Sequence, residues 1–465
     1  MDQGIETICA RATPPGMGAI AIVRLSGPRA LEIIDRCFLP HRATQSLAEM
    51  RSHTLIFGHL VDPTDRTAID DVLVGVMRGP HSYTGEDVVE INLHGSPAIV
   101  RATLRLLTEQ GARLAGPGEF TRRAFENGQI DLAQAEAICD LITAQTQAAA
   151  GVALRQLSGQ FSDRLGTIRE RLIDLLAEIE ARLDFPEEDI PPEEADRWLL
   201  MIHSVGDELS RLVTSGERGR LLAEGARIVL VGKPNAGKSS LFNSLLDDDR
   251  AIVTPEPGTT RDSLEAMIEA DGLPMNLVDT AGLRAVESEV ERLGVVRAES
   301  EIRRASLIVL CVPVDEPWGR KDEQVWQLVG ERDPIVALTK CDLNPTLDPA
   351  KVTERTGCEK MHRTSALTHE GLEELIAECS LRLTEEAEDD QEQADPLVST
   401  ERHLDELRHA LNLLAGAVRA LADPPALELA AADLRAATGH VDGVLGLEIG
   451  EEVLDRIFDR FCIGK

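Results

Sequence analysis

The chain of 465 residues sets 48 Lys and Arg against 81 Asp and Glu, a formal net charge of −33, and 43% of its residues are hydrophobic. That length accommodates roughly two to four domains. With no run of roughly 18 apolar residues and no basic-then-apolar order over Met1–Glu6, it predicts neither a membrane span nor a signal peptide, and a cytoplasmic location. The acid excess opposes binding to nucleic acid by overall attraction, because phosphate neutralisation needs clustered Lys and Arg; any RNA contact has to be local or shared with a partner.

Residues 1–128 place Gly- and Pro-marked turns between short apolar runs, which predicts a mixed α/β domain. Alternation over Gly18–Leu25 puts Ile20, Ile22 and Arg24 on one face of a strand, and over Val88–His94 it puts Glu90, Asn92 and His94 together. From Gln129 the period changes. Leu154, Leu157, Phe161, Leu165, Ile168, Leu172, Leu175, Ile179 and Leu183 recur at helical steps and predict one long amphipathic helix. The Pro-rich stretch Phe185–Pro192 breaks it, and a second stripe runs through Trp198, Ile202, Val205, Leu209 and Leu212 to about residue 224.

Residues 225–377 begin with an apolar run, Arg227–Val231, that leads into Gly232-Lys-Pro-Asn-Ala-Gly237-Lys238-Ser239-Ser240 and then Leu241. This is the strand, glycine loop and helix order of a phosphate-binding loop. Backbone amides of Asn235, Ala236, Gly237 and Ser240 close around phosphates, Lys238 reaches the β and γ oxygens, and Ser239 offers a hydroxyl to Mg²⁺. The loop Thr254-Pro255-Glu256-Pro257-Gly258-Thr259-Thr260 follows, with Thr260 as the second protein ligand on Mg²⁺. Asp279-Thr280-Ala281-Gly282 ends the strand Met275–Val278; Asp279 binds Mg²⁺ through water and the Gly282 amide meets the γ-phosphate. Thr339-Lys340-Cys341-Asp342 and Ser365-Ala366 supply the base-contacting loops.

A carboxylate at Asp342 accepts two hydrogens from the N1 and N2 edge of guanine, which adenine cannot supply, so GTP is favoured over ATP. The set resembles a translation-factor-type GTPase. Its usual residue at position 339 is Asn; Thr339 keeps an oxygen acceptor and loses the amide donors. At position 283, where many small GTPases carry a water-orienting Gln, the chain has Leu, so a carboxylate from Glu287, Glu289 or Glu291, or a backbone-held water, must take that task.

Residues 378–465 open with the acidic stretch Glu385–Asp395, read as an exposed connector, and return to helical spacing at Leu404, Leu407, Leu411, Leu414, Val418 and Leu421, then Val453, Ile457 and Phe461. Helices on both sides of the GTPase predict that it is inserted into a helical bundle, since a domain's ends usually lie close together. Eight cysteines without a C-x-x-C pair predict reduced, mostly buried thiols.

Phosphate-loop motifs alone do not separate a modification enzyme from a GTP-dependent assembly switch for ribosomes or other partners. The strings outside the GTPase do. Ala12-Thr13-Pro14-Pro15-Gly16, Val23–Gly27, Tyr83-Thr84-Gly85-Glu86-Asp87, His94-Gly95, Pro117–Thr121, Asp131–Ala137 and Cys462-Ile-Gly-Lys465 together resemble the MnmE (TrmE) family of tRNA modification GTPases from end to end.

That resemblance implies a multidomain α/β plus all-α chain: an N-terminal folate-binding and dimerisation domain, and a helical bundle interrupted by the inserted GTPase. It implies a homodimer that works with an FAD-containing MnmG-like partner, as a heterotetramer, on carbon 5 of the tRNA wobble uridine (position 34), adding aminomethyl or carboxymethylaminomethyl groups. It further implies that Arg24, Glu90 and Lys465 hold 5,10-methylene- or 5-formyl-tetrahydrofolate. Gln129 stands there where the family often has Lys, keeping a hydrogen bond without the charge. By the same likeness K⁺ is bound through Asn235, Thr254, Glu256 and Thr259 when two GTPase domains meet, and Glu291 positions the attacking water. Cys462 reads equally as a functional thiol and as a structural residue of the domain junction.

Overall fold

A computed structural model describes residues 6–41, 47, 50–183, 192–246, 251–252, 264–279, 300–385, 398–422 and 425–465. The chain divides into two compact units, one of Met1–Cys139, Ser162–Arg169 and Gly439–Lys465, the other of Asp140–Phe161 and Glu170–Thr438.

The first unit is built on seven strands: β1 (Ile8–Arg11), β2 (Ile20–Ser26), β3 (Phe38–Pro40), β4 (Thr54–Val61), β5 (Ala68–Met77), β6 (Val88–His94) and β7 (Arg113–Leu114), in the order β3-β4-β5-β6-β2-β1-β7. All neighbours are antiparallel except β1 and β7. Alternation decides which face is covered. Ala21, Val23 and Leu25 of β2 stand opposite Leu93, Ile91 and Val89 of β6, and all six are buried under the helices Ala30–Cys37 and Pro97–Glu109, which contribute Ile33, Ile34, Leu106 and Leu107. Burial of each such aliphatic side chain is worth about 1.5–3 kcal/mol, so the register cannot slip by one residue without inverting the sheet. On the opposite face Arg24 stands opposite Glu90 and Ile22 opposite Asn92. There Ile20, Leu55, Phe57 and Leu73 remain exposed.

The second unit holds β8 (Ala226–Val231), β9 (Ala251–Ile252), β10 (Leu264–Ala270), β11 (Leu273–Asp279), β12 (Leu307–Pro313), β13 (Ile335–Thr339) and β14 (Met361–Arg363), in the order β14-β13-β12-β8-β11-β10-β9. From β14 to β11 the strands are parallel, and β12 and β13 are buried along their whole length because helices cover both faces. Leu230, Leu277 and Val309 pack with Leu241, Phe242 and Ile376 on one side, while Val229, Ile308 and Leu310 pack with Val329 and Val352 on the other. The carboxyl ends of β8, β11 and β13 therefore emerge along one edge, where doubly wound sheets bind ligands.

Helix Pro192–Glu224 joins β8 through the single residue Gly225, whose φ of +80° and 3.0 Å approach to the Pro274 carbonyl suit only glycine. Its predicted stripe, Trp198, Ile202, Val205, Leu209 and Leu212, is buried, and the Trp198 indole donates to Glu178 at 2.9 Å.

Two sequence expectations need correction. The long stripe from Leu154 to Leu183 is two helices, Gln147–Leu157 and Gln160–Leu183, because Gly159 adopts φ +87° and ends the first; Leu154 is consequently 57% exposed, and Val152, Ala153 and Gln156 are buried instead. In the helix Glu401–Ala420, Ala410 and Ala417 take buried positions beside Leu407 and Leu414, leaving Leu411 and Val418 half-buried. The predicted break Phe185–Pro192 and the acidic stretch Glu385–Asp395 fall almost wholly outside the described residues. No described helix is long and apolar enough to cross a membrane.

Four cysteines are buried, three half-buried and Cys462 exposed, and none forms a disulfide. Burial pushes the thiols of Cys9 and Cys37 up to about 11 and those of Cys311 and Cys379 up to about 12, which keeps them protonated and unreactive.

Candidate functional site

The phosphate loop begins where β8 meets Gly232, whose added Cβ would stand 2.5 Å from the Cys311 carbonyl. Asn235 (φ +62°) and Gly237 (φ +86°) turn the chain into the helix Lys238–Leu246. Left-handed residues of this kind before a helix N-terminus belong to the loop geometry that receives an anion. The Lys238 side chain is buried, and its ammonium donates to the Gly232 and Lys233 carbonyls, each at 3.0 Å. Ser239 Oγ donates to Asp279 Oδ2 at 2.5 Å, so the hydroxyl and the carboxylate that ends β11 share one point, while Ala236 is buried and Ser240 exposed.

Thr339 ends β13, almost fully buried, and its hydroxyl donates to the Ala236 carbonyl at 2.6 Å. Besides the acceptor expected of it, this hydroxyl is a donor that ties the base loop to the phosphate loop. Beyond it, Lys340 at φ +59° sends its ammonium to Asp315 at 3.0 Å. Asp342 is exposed, with Oδ1 receiving the Ser365 hydroxyl at 2.6 Å. Ser365 Oγ accepts the amides of Leu367 at 3.3 Å and Thr368 at 3.2 Å, so its own proton is directed at the carboxylate and orients it. Ala366, half-buried, follows in the same turn. Thr254, Pro255, Glu256, Pro257, Gly258, Thr259, Thr260, Thr280, Ala281, Gly282 and Glu291 lie outside the described residues, as do Leu283, Glu287 and Glu289.

A second cluster forms in the first unit. The Arg24 guanidinium contacts Glu90 Oε1 at 2.7 and 2.9 Å and lies over two rings, 5.1 Å from the centre of Tyr83 and 5.7 Å from that of Phe120. Charge pairing and ring stacking together hold its plane in place. The Tyr83 hydroxyl shares a hydrogen bond with Thr121 at 2.8 Å. The chain's end reaches the same place: the Phe120 amide donates to the Lys465 carbonyl at 3.2 Å, and Ile463 bridges Pro117. Gly464, at φ +97°, passes so close that an added Cβ would stand 2.0 Å from the Arg11 carbonyl. Gln129 lies against the loop through Gly85, its amide nitrogen 3.2 Å from where a Cβ on that glycine would be.

Sequence reasoning named Arg24, Glu90 and Lys465 and missed the two rings beneath Arg24. A signal existed for one of them, since Tyr83 is the chain's single tyrosine.

Comparison with known proteins extends the likeness beyond the GTPase motifs. Residues 7–129 match the model of the GTP-binding protein TrmE N-terminus, and residues 132–462 match that of the MnmE helical domain. The chain belongs to the MnmE family of tRNA modification GTPases. It is 42% identical over 464 residues to the tRNA modification GTPase MnmE of Carboxydothermus hydrogenoformans, covering 99% of each chain. The MnmE proteins of Alkaliphilus metalliredigens and Geobacillus kaustophilus are each 40% identical to it, over 460 and 464 residues, again with 99% of each chain covered. As an MnmE-family member it is a GTPase enzyme, with an α/β N-terminal part, a helical part and a GTPase sheet.

Proposed function

We propose that this chain is the GTP-hydrolysing component of a tRNA wobble-uridine modification apparatus, acting with an FAD-containing MnmG-like partner to place aminomethyl or carboxymethylaminomethyl groups on carbon 5 of uridine 34. The observation that carries the reading is 42% identity, over 99% of both chains, to a relative named as a tRNA modification GTPase. A GTP-dependent assembly switch, left open by the phosphate-loop motifs, finds no support in the parts outside the GTPase, which match this family.

In this reading Lys238 neutralises the β and γ oxygens of GTP, Ser239 and Thr260 hold Mg²⁺ with Asp279 behind a water, and Asp342 reads guanine. The Gly282 amide meets the γ-phosphate and Glu291 orients the attacking water. The donor set fits this assignment: a hydroxyl touching a carboxylate at the end of the phosphate loop is oxygen ligation of the kind a hard divalent cation takes. Asn235, Thr254, Glu256 and Thr259 hold K⁺ when two GTPase domains meet. A cation there does the work of an arginine finger, worth about 10³–10⁵ in rate.

Arg24, Glu90, Lys465 and Gln129 hold the folate, which supplies the transferred carbon. A carboxylate beside a guanidinium that is stacked on two rings suits a flat, donor-rich pterin with an acidic tail, so the residues fit the group. Homodimerisation through the N-terminal sheet is supported by its uncovered apolar face, where Ile20 is 63% and Leu55 64% exposed. GTP hydrolysis supplies no carbon, so its role is conformational, and the direct run of helix Pro192–Glu224 into the strand that carries the phosphate loop supports transmission through the helices.

Turnover tests this reading. GTP hydrolysis is expected to run at least about tenfold faster in K⁺ than in Na⁺ and to rise with protein concentration as dimers form. Glu291→Ala is expected to keep GTP affinity within about threefold and to slow turnover by about 10²-fold, the scale of a lost general base or water-positioning group. Loss of binding, or unchanged turnover in K⁺, contradicts the assignment of Glu291. Equal rates in both cations contradict the K⁺ site.

A further inference from the structure

Lysine is scarce, at seven in the chain, and three of the seven, Lys233, Lys238 and Lys340, lie in the two loops assigned to nucleotide. Two of these three are held by one short acidic segment. After β12 the chain passes through Val314, Asp315 and Glu316 to the helix Arg320–Val329. Asp315 takes the Lys340 ammonium at 3.0 and 3.2 Å, at the base loop. Glu316 and Asp322 take the Lys233 ammonium at 3.0 and 3.1 Å, inside the phosphate loop.

The Lys233 side chain is only 7% exposed, and a buried ammonium is tolerated only when paired and hydrogen-bonded. Asp322 is itself buried and fixed at its helix start by the Gly319 amide at 3.0 Å. Burial pulls the Lys233 ammonium toward neutrality, yet Glu316 and Asp322 outweigh it and hold its pKa above the ordinary lysine value, so it stays charged. Position then passes inward. The carbonyl of Lys233 is one of the two on which the Lys238 ammonium rests, so a shift of Lys233 shifts the group assigned to the phosphates. The segment is also tied to the base loop by its backbone: the Val314 amide donates to the Thr339 carbonyl at 3.0 Å, and the Val314 carbonyl accepts the amides of Thr346 and Leu347 at 2.8 and 3.0 Å.

We propose that Asp315, Glu316 and Asp322 form a positioning clamp that aligns the guanine loop with the phosphate loop through Lys340 and Lys233, setting nucleotide affinity without touching the nucleotide. This inference rests on the guanine-nucleotide reading of the site. The arrangement differs from ordinary loop support in one measurable way: the three carboxylates serve a single alignment, so their effects on affinity should overlap rather than multiply.

The test uses the full chain, titrated with fluorescent GTP and GDP analogues, with the melting temperature and saturated turnover measured in parallel. Asp315→Asn and Asp322→Asn are each expected to raise Kd for both nucleotides about tenfold, with kcat at saturating GTP within about twofold in Asp315→Asn and lowered in Asp322→Asn, where the Lys233 carbonyl that supports Lys238 shifts. The double variant is expected to lose no more than about thirtyfold, against about a hundredfold for independent sites. Asp315→Glu should recover most of the affinity lost in Asp315→Asn. If Asp322→Asn fails to fold, Glu316→Gln takes its place, because Glu316 is half-exposed and caps nothing. Unchanged Kd in variants that melt like the wild type, or a full hundredfold loss in the double variant, overturns the clamp. Failure of the wild-type chain to bind GTP overturns the guanine reading instead, so the two failures are distinct.

Discussion

Asp342→Asn is expected to weaken GTP binding by about 10²–10³-fold and to transfer preference to xanthosine triphosphate. An exposed carboxylate with Ser365 fixing one oxygen at 2.6 Å presents a pure acceptor edge, the complement of the N1–H and N2–H₂ donors of guanine. Hydrogen bonds to a charged group contribute about 1.5–3 kcal/mol each, and two of them account for a loss of this order. Asparagine keeps the size and places an amide donor where a carboxylate oxygen stood, so a base with a carbonyl at position 2 regains what guanine loses. The measurement is the pair of dissociation constants for GTP and xanthosine triphosphate in both proteins. Retention of GTP affinity within about threefold would remove Asp342 from the base site.

Lys238→Ala acts at the other end of the nucleotide. The buried ammonium is aimed by two carbonyls of its own loop, and charge-assisted contacts to phosphate are roughly twice as strong as neutral ones. Its loss is expected to lower kcat/KM for GTP by about 10³-fold or more, with most of the fall in kcat, because charge on the β and γ oxygens grows in the transition state. Lys238→Arg is not expected to rescue it, since a planar fork does not fit where a compact ammonium sits between the Gly232 and Lys233 carbonyls. Steady-state kinetics decide the point: a fall of less than about tenfold would mean that the phosphates are held elsewhere.

Local pattern was enough wherever a residue's task follows from its immediate neighbours. Alternation grouped Arg24 with Ile20 and Ile22 on β2 and Glu90 with Asn92 and His94 on β6, and the glycine spacing around Lys238 defined the strand, loop and helix. It failed where one residue reverses the backbone. Gly159 interrupts a stripe that keeps helical spacing on both sides, and periodicity is blind to a single left-handed residue. Distance in sequence hid the rest. Thr339 is 103 residues from the carbonyl it binds, and Lys233 is 89 from Asp322, so neither partnership leaves a mark in either local stretch. The rings of Tyr83, on a loop, and Phe120, in the helix Glu119–Glu126, meet Arg24 from distant parts of the sequence for the same reason.

Thr339 also shows how a departure from a familiar motif can be misread from composition alone. Counting donors and acceptors leaves Thr339 with a single oxygen, yet that hydroxyl makes a buried 2.6 Å bond to the phosphate loop, a strong contact once water is excluded. What matters is where the side chain points, and that is set by the end of β13.

GTP hydrolysis by this chain is proposed to drive modification of the wobble uridine. Mass spectrometry of nucleosides from tRNA of a strain that lacks the chain tests it most directly. Aminomethyl and carboxymethylaminomethyl derivatives at uridine 34 are expected to vanish, to return with the wild-type chain, and to stay absent with Lys238→Ala. Wild-type levels of those nucleosides in the deletion strain, or full restoration by Lys238→Ala, would contradict the claim.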